Sequence, residues 1–202
     1  MARSERLLLG LVLGLLILVA GKASWIEAKA WVAQALIARA WERTLAEGGH
    51  HPPWPWADTW PVARLTDNNG KDLYILESAS GQALAFGPGR MAATGGGWVV
   101  AGHRDTHFRF LEGLEKDDRL SLQKADGGWT RYRVAATKVA DTRRDSLQPP
   151  EDPQALALVT CYPFDASAAG GPLRYVVRME PVARAESVVS AETLSGQGYP
   201  GR

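Results

Sequence analysis

The chain has 202 residues, 46% of them hydrophobic, which is enough for one ordinary domain with flanking segments. Its 23 Lys and Arg nearly cancel its 22 Asp and Glu, and no basic run or basic–aromatic alternation occurs, which argues against a nucleic-acid-binding surface. The single cysteine, Cys161, excludes an internal disulfide and a Cys-rich zinc site, so its thiol is either a small buried apolar group or a reactive one.

Arg3 and Arg6 precede an apolar run from Leu7 to Gly21 made only of Leu, Val, Ile, Ala and Gly. The run suits a signal peptide and falls short of the roughly 20 residues that span a bilayer. Lys22 can snorkel, however, and residues 23–26 can extend the span. We expect an uncleaved membrane anchor over residues 1–23, with a cleaved signal ending near Ser24 as the competing reading. Either keeps the basic end inside and puts the rest outside the cytoplasm, on the periplasmic or extracytoplasmic side of the inner membrane. Residues 24–49 predict an amphipathic helix. Trp25, Ala28, Val32, Leu36, Ala40 and Trp41 recur at helical spacing, and Gly48–Gly49 ends it. It either lies on the membrane or packs on the domain as a spacer.

Residues 50–61 hold Pro52, Pro53, Pro55 and Pro61 among Trp54, Trp56 and Trp60, a composition that excludes regular helix or central strand. This is a linker or an extended segment docked by its tryptophans, and His50 and His51 in it are solvated loop residues rather than ligands. From residue 62 to 182 the texture changes to short strands. They are expected at Val62–Leu65, Asp72–Leu76, Ala83–Phe86, Trp98–Ala101, Arg119–Gln123, Thr130–Val139, Ala155–Thr160 and Leu173–Met179. Hairpin turns are expected at Asp67–Gly70 and Asp126–Gly128. Eight short strands suggest a mostly β protein with a closed barrel and little helix, at Arg90–Ala93 and Phe108–Leu114. The tail from 183 to 202, rich in Ser, Ala, Gly and Glu, predicts disorder.

Cys161 ends the apolar strand Ala155–Thr160 and precedes Tyr162–Pro163, where a strand must stop, so it belongs at a rim where loops meet solvent. A thiol there needs a base or a cation to become a thiolate near neutral pH. His103 follows the apolar strand Trp98–Ala101 in the same way. Arg174 starts a third apolar strand, thirteen positions after Cys161, close enough for antiparallel pairing to bring a guanidinium to the thiol.

The segments Gly87–Gly89, Thr94 and Val99–Phe108 (VVAGHRDTHF), with Leu111, resemble the catalytic-histidine region of sortases. Leu158–Cys161 (LVTC) is similar to the sortase cysteine signature, and Leu173–Val177 (LRYVV) to the strand carrying the sortase arginine. The three occur in the family's order over roughly residues 62–181. The short linking loops and the N-terminal run resemble the sortases of some Gram-negative bacteria. Ala157 stands where the signature usually has Thr, and Arg90 follows the Gly-Pro-Gly turn where many members differ. The resemblance implies an eight-stranded sortase barrel whose catalytic residues are Cys161, His103 and Arg174. The thiolate would cleave a C-terminal sorting motif like Leu-Pro-x-Thr-Gly on a secreted protein and pass the acyl group to an amine, with no cofactor and no metal.

Other readings fare worse. His103 and His107 have i,i+4 spacing, but Arg104 stands where a zinc protease needs a glutamate. His107 reads as a loop histidine packed on the barrel, and Asp105 either orients His103 or caps the following turn. The glycines from Gly87 to Gly97 lack the Gly-Lys-Ser/Thr of a phosphate loop. A papain-like protease would have its cysteine ahead of its histidine, opening a helix. The non-enzyme alternative is a membrane-tethered β-barrel binding module with an inert cysteine.

Overall fold

The structure, a computed structural model of the chain, describes residues 28–67, 69–92, 96–166, 168 and 170–182. The expected anchor at 1–23, the first residues of the helix and the tail at 183–202 lie outside the described residues. Among the described residues no helix is long and apolar enough to cross a membrane.

Eight strands close into a barrel: β1 (Pro61–Thr66), β2 (Asp72–Leu76), β3 (Gly89–Arg90), β4 (Trp98–Ala101), β5 (Arg119–Lys124), β6 (Trp129–Asp141), β7 (Leu156–Cys161) and β8 (Leu173–Pro181). Around the barrel the order is β1-β2-β3-β4-β7-β8-β6-β5. Alternation along each strand sends one set of side chains inward. Leu65, Ile75, Val100, Leu120, Leu122, Val134, Leu158 and Val177 are all at most 1% exposed and fill the interior.

The central strands are apolar on both faces. Val99, Ala157, Val159 and Val176 have the opposite parity, and Ala140 joins them past the bulge in β6 between Val134 and Ala136; together they form a second, smaller cluster on the outer face, with Met91 and Leu147 packed against it. This explains why β7 reads as an unbroken apolar run rather than an alternating one. It also places Ala157 on the outer face, beside Val159.

The hairpins form as expected. Gly70 N–H bonds Asp67 O between β1 and β2, and Gly127, at φ +81°, bonds Lys124 O between β5 and β6. Two expectations are corrected. Ala83–Phe86 is not a strand: a short helix, α2 (Gly81–Leu84), forms there because the Ser80 hydroxyl caps it by accepting from Ala83 N–H. No helix starts at Arg90, which closes β3, the two-residue strand that bridges β2 and β4; residues 91 and 92 are not helical, and Ala93 lies outside the described residues. The expected helix at Phe108–Leu114 is a 3-10 turn, η1 (Arg109–Gly113).

A long helix, α1 (residues 28–47), lies against the outside of the barrel. Ala33, Ile37, Ala40, Trp41 and Thr44 are its buried stripe. Ile37 packs with Leu76 and Ala83, and Trp54, Tyr74 and Phe86 surround them, so α1 sits over β2 and α2. Gly48 and Gly49, at φ +71° and +75°, end it in a conformation that glycine adopts without steric cost. The Pro/Trp segment is docked rather than free. His50 stacks on Trp60 at 4.6 Å, and Trp54 meets Phe86 edge-on. His51 bonds the Gly48 carbonyl.

Candidate active site

The barrel topology brings the three sequence-flagged residues to one place. β4 and β7 are parallel neighbours, with Ala101 opposite Val159, and Gly102 N–H continues the ladder to Val159 O at 3.1 Å. His103 follows just past that last ladder bond and Cys161 ends β7 two positions beyond Val159, so both lie at the same end of the parallel pair. On the other side of β7, antiparallel β8 sets Arg174 directly opposite Cys161. Three adjacent strands therefore deliver His103, Cys161 and Arg174 to one end of the sheet.

Cys161 and Arg174 also share a face. Strand alternation gives Cys161 the parity of Ala157 and Val159, and Arg174 that of Val176. The site thus opens on the outer surface of the barrel, above the second apolar cluster, and not into the barrel interior. Cys161 is half-buried and His103 exposed.

The strand ends are fastened beneath these groups. Thr160, buried between the strands, donates its hydroxyl proton to Gly102 O at 2.7 Å. The Phe108 ring fits against Gly102 so closely that a Cβ there would stand 2.7 Å from it. Phe108 N–H then bonds His103 O and closes the loop behind the histidine.

Arg174 Nη1 donates to the carbonyls of Gly171 (2.7 Å) and Leu173 (2.8 Å), and it makes no ion pair with any described residue. Its charge is thus held at the site by neutral acceptors and stays available for an anion at the thiol.

Two further arginines hold the site, and the sequence reading gave neither a place in it. Arg104, next to His103, is 4% exposed. It donates to the carbonyls of Pro163 (2.7 Å), Ala166 (2.7 Å) and Ala168 (3.1 Å), all in the loop that follows Cys161. Arg109 donates to Phe164 O in the same loop. Asp105 accepts from Arg104 Nε at 3.0 Å, so its carboxylate serves the arginine rather than the turn, whose 3-10 helix has no side-chain cap. The acceptors are backbone carbonyls some sixty positions away, which carry no side-chain signature in sequence.

His107 is partly buried, and its pKa lies below the ordinary histidine value. Burial is the main cause, helped by His103 and Lys71, and opposed by a hydrogen bond to the Phe86 carbonyl. His107 is therefore the loop histidine packed on the barrel that its position suggested. No group of three or more His, Cys, Asp or Glu that could hold a metal occurs among the described residues.

A family model described as the sortase domain matches residues 66–182. The chain is 34% identical over 112 residues to Sortase D of Bacillus subtilis, an alignment covering 52% of this chain and 56% of that protein. It thus spans about half the length of this relative. Among solved structures it is similar to a Clostridium perfringens Sortase D5 transpeptidase, with TM-score 0.56, 18% identity, and 75% and 98% of the two chains covered. It is also similar to Sortase A from Corynebacterium diphtheriae, with TM-score 0.54, 20% identity, and 77% and 86% covered. At these identities the two structural likenesses speak to the fold.

Proposed function

The chain belongs to the sortase family, and from that premise we propose that it is a cysteine transpeptidase acting through Cys161, His103 and Arg174. The observation that supports the reading is the register of β4, β7 and β8, which pairs Arg174 with Cys161 on one side and ends β4 just before His103 on the other.

In the proposed cycle the Cys161 thiolate attacks the Thr carbonyl carbon of a sorting motif resembling Leu-Pro-x-Thr-Gly. Negative charge moves to the carbonyl oxygen, which the Arg174 guanidinium is placed to stabilise. The C–N bond to Gly then breaks, and His103, as imidazolium, gives its proton to the departing amine. The remaining thioester keeps the acyl group activated. An amine attacks it, His103 takes back a proton, and the thiolate leaves. Every step uses side chains of this chain, so no cofactor is required.

The partners on this reading are a secreted protein with a C-terminal sorting signal and an amine nucleophile. The run Leu7–Gly21, flanked by Arg3, Arg6 and Lys22, supports a single-pass anchor with the barrel on the periplasmic or extracytoplasmic side. The short connections between strands go with the sub-type of some Gram-negative bacteria. The competing binding-module reading needs an inert thiol, and the half-buried position of Cys161 at a strand end disfavours it.

The test is cleavage of a fluorogenic Leu-Pro-x-Thr-Gly peptide, with and without an added amine. The proposal requires that the chain release the Gly-side fragment and that Cys161→Ala, still folded by circular dichroism, release none. Undiminished cleavage by Cys161→Ala would refute it.

A further inference from the structure

The helix α1 changes character along its length. From residue 28 to 38 every exposed side chain except Lys29 is apolar: Ala28, Ala30, Trp31, Val32, Ala35 and Leu36. Trp31 is 74% exposed and Val32 49%. Beyond that the exposed face carries Arg39, Glu42, Arg43 and Glu47. A helix apolar on its exposed side as well as on its packed side has no aqueous explanation over that stretch.

The apolar surface continues off the helix. Between α1, the Pro/Trp segment and α2 lies a groove of about 800 Å³, whose walls include Val32, Leu36, Trp54, Trp56, Ala85 and Phe86. Trp56, at its mouth, is 83% exposed. Such a continuous apolar patch with exposed tryptophans marks a docking surface.

Where the patch lies in the chain decides its occupant. The apolar end of α1 is the end toward the run Leu7–Gly21, which stops seven positions before Ala28, while the charged end points away from it. A chain leaving a bilayer at residue 21 brings the first three turns of α1 into the headgroup zone, where tryptophan rings are at their most favourable.

We propose that the exposed apolar face of α1, together with Trp56 and the groove, is a membrane-contacting surface that seats the barrel against the lipid interface. This rests on the reading of Leu7–Gly21 as an anchor, and it adds that the domain lies on the bilayer rather than swinging free on a tether. The active site takes its orientation from the same contact. Gln34 of α1 donates to the Phe86 carbonyl, which His107 beside His103 also reaches.

The experiment uses the full chain in a Cys161→Ala background, reconstituted in phosphatidylcholine–phosphatidylglycerol vesicles. An environment-sensitive fluorophore is attached in separate variants at Val32→Cys, Trp56→Cys and Lys138→Cys. Lys138 is exposed on β6, three strands round the barrel from β2. Sedimentation with the vesicles tests the anchor. In the sedimented fraction, labels at 32 and 56 should be quenched by nitroxide-bearing lipid and protected from aqueous iodide, and the label at 138 should behave in the opposite way. Labels at 32 and 56 open to iodide would show a solvent-facing surface. Protection from both quenchers would show a protein segment or a second copy in the groove. Either result overturns the membrane contact while leaving the anchor intact, and a chain that stays in the supernatant refutes both.

Discussion

Thr160 and Gly102, 58 positions apart in sequence, are joined by a 2.7 Å hydrogen bond from the threonine hydroxyl to the glycine carbonyl. Each immediately precedes a residue of the proposed catalytic pair, so this one bond ties the strand ends that carry Cys161 and His103. The pair is spaced by buried strands, not by loops, and that suits a thiol that must meet its acid repeatedly in one geometry.

Thr160→Val keeps the shape of the side chain and removes the donor. Losing this buried bond should destabilise the fold by about 1–3 kcal/mol. It should also lower kcat, because the strand ends lose their register. Urea denaturation and peptide turnover measure the two effects. Wild-type values for both would show that the bond neither stabilises the fold nor places the pair.

His103→Ala and Arg174→Ala should each lower kcat/KM by orders of magnitude, as the loss of an acid and of an oxyanion partner does. His107→Ala should be much milder, since His107 lies four positions past His103, packed toward the Phe86 carbonyl and away from the end of β4. Steady-state kinetics on the sorting-motif peptide decide the ranking. If His107→Ala proves the more damaging change, the acid has been misassigned.

Arg104→Met leaves the carbonyls of Pro163, Ala166 and Ala168 without their shared donor in a buried position. Hydrogen bonds to a charged group contribute roughly 1.5–3 kcal/mol each, so a substantial drop in melting temperature is expected. KM should rise as the loop after Cys161 loosens. Arg104→Lys should recover only part of this, because an ammonium cannot reproduce the fork of a guanidinium. Wild-type behaviour of both the Lys and Met variants would show that charge and fork geometry are both irrelevant here.

The lowered pKa of His107 predicts an acid-side loss of stability. Above its ordinary value of 6.5 both folded and unfolded chains carry it neutral, and its contribution is fully present. As pH falls below that, the unfolded chain takes up a proton that the buried site resists, so stability declines until pH has passed the lowered folded value. His107→Gln should therefore flatten the decline in urea midpoint between about pH 7 and 5. An unchanged slope in the variant would mean that other groups set the acid limb.

Much of this was legible in the sequence, for identifiable reasons. Strand periodicity marked β2 and β4 residue for residue, and it placed Cys161 and Arg174 on neighbouring strands because the connection between them is short. β3 escaped because two residues, Gly89 and Arg90, are too few to show any period. α2 reads as a strand because four residues cannot distinguish a helical from a strand pattern, although Ser80 before Gly81 is an available cap signal. That β4 runs parallel to β7, and so ends just before His103 at the same end of the sheet as Cys161, is a property of the closed barrel and not of any local segment. In sequence Arg104 speaks only against zinc and for the histidine-region resemblance, not for a role in the loop after Cys161. Its partners are carbonyls, and every residue type carries one.

Acylation of Cys161 is read out by mass spectrometry of the intact chain. Incubation with a Leu-Pro-x-Thr-Gly peptide and no added amine, followed by an acid quench, should add the mass of the Thr-terminated fragment. Peptide mapping should place it on Cys161, and hydroxylamine should remove it as it does a thioester. Cleavage of the peptide with no adduct on Cys161, or an adduct that persists in Cys161→Ala, would contradict the account.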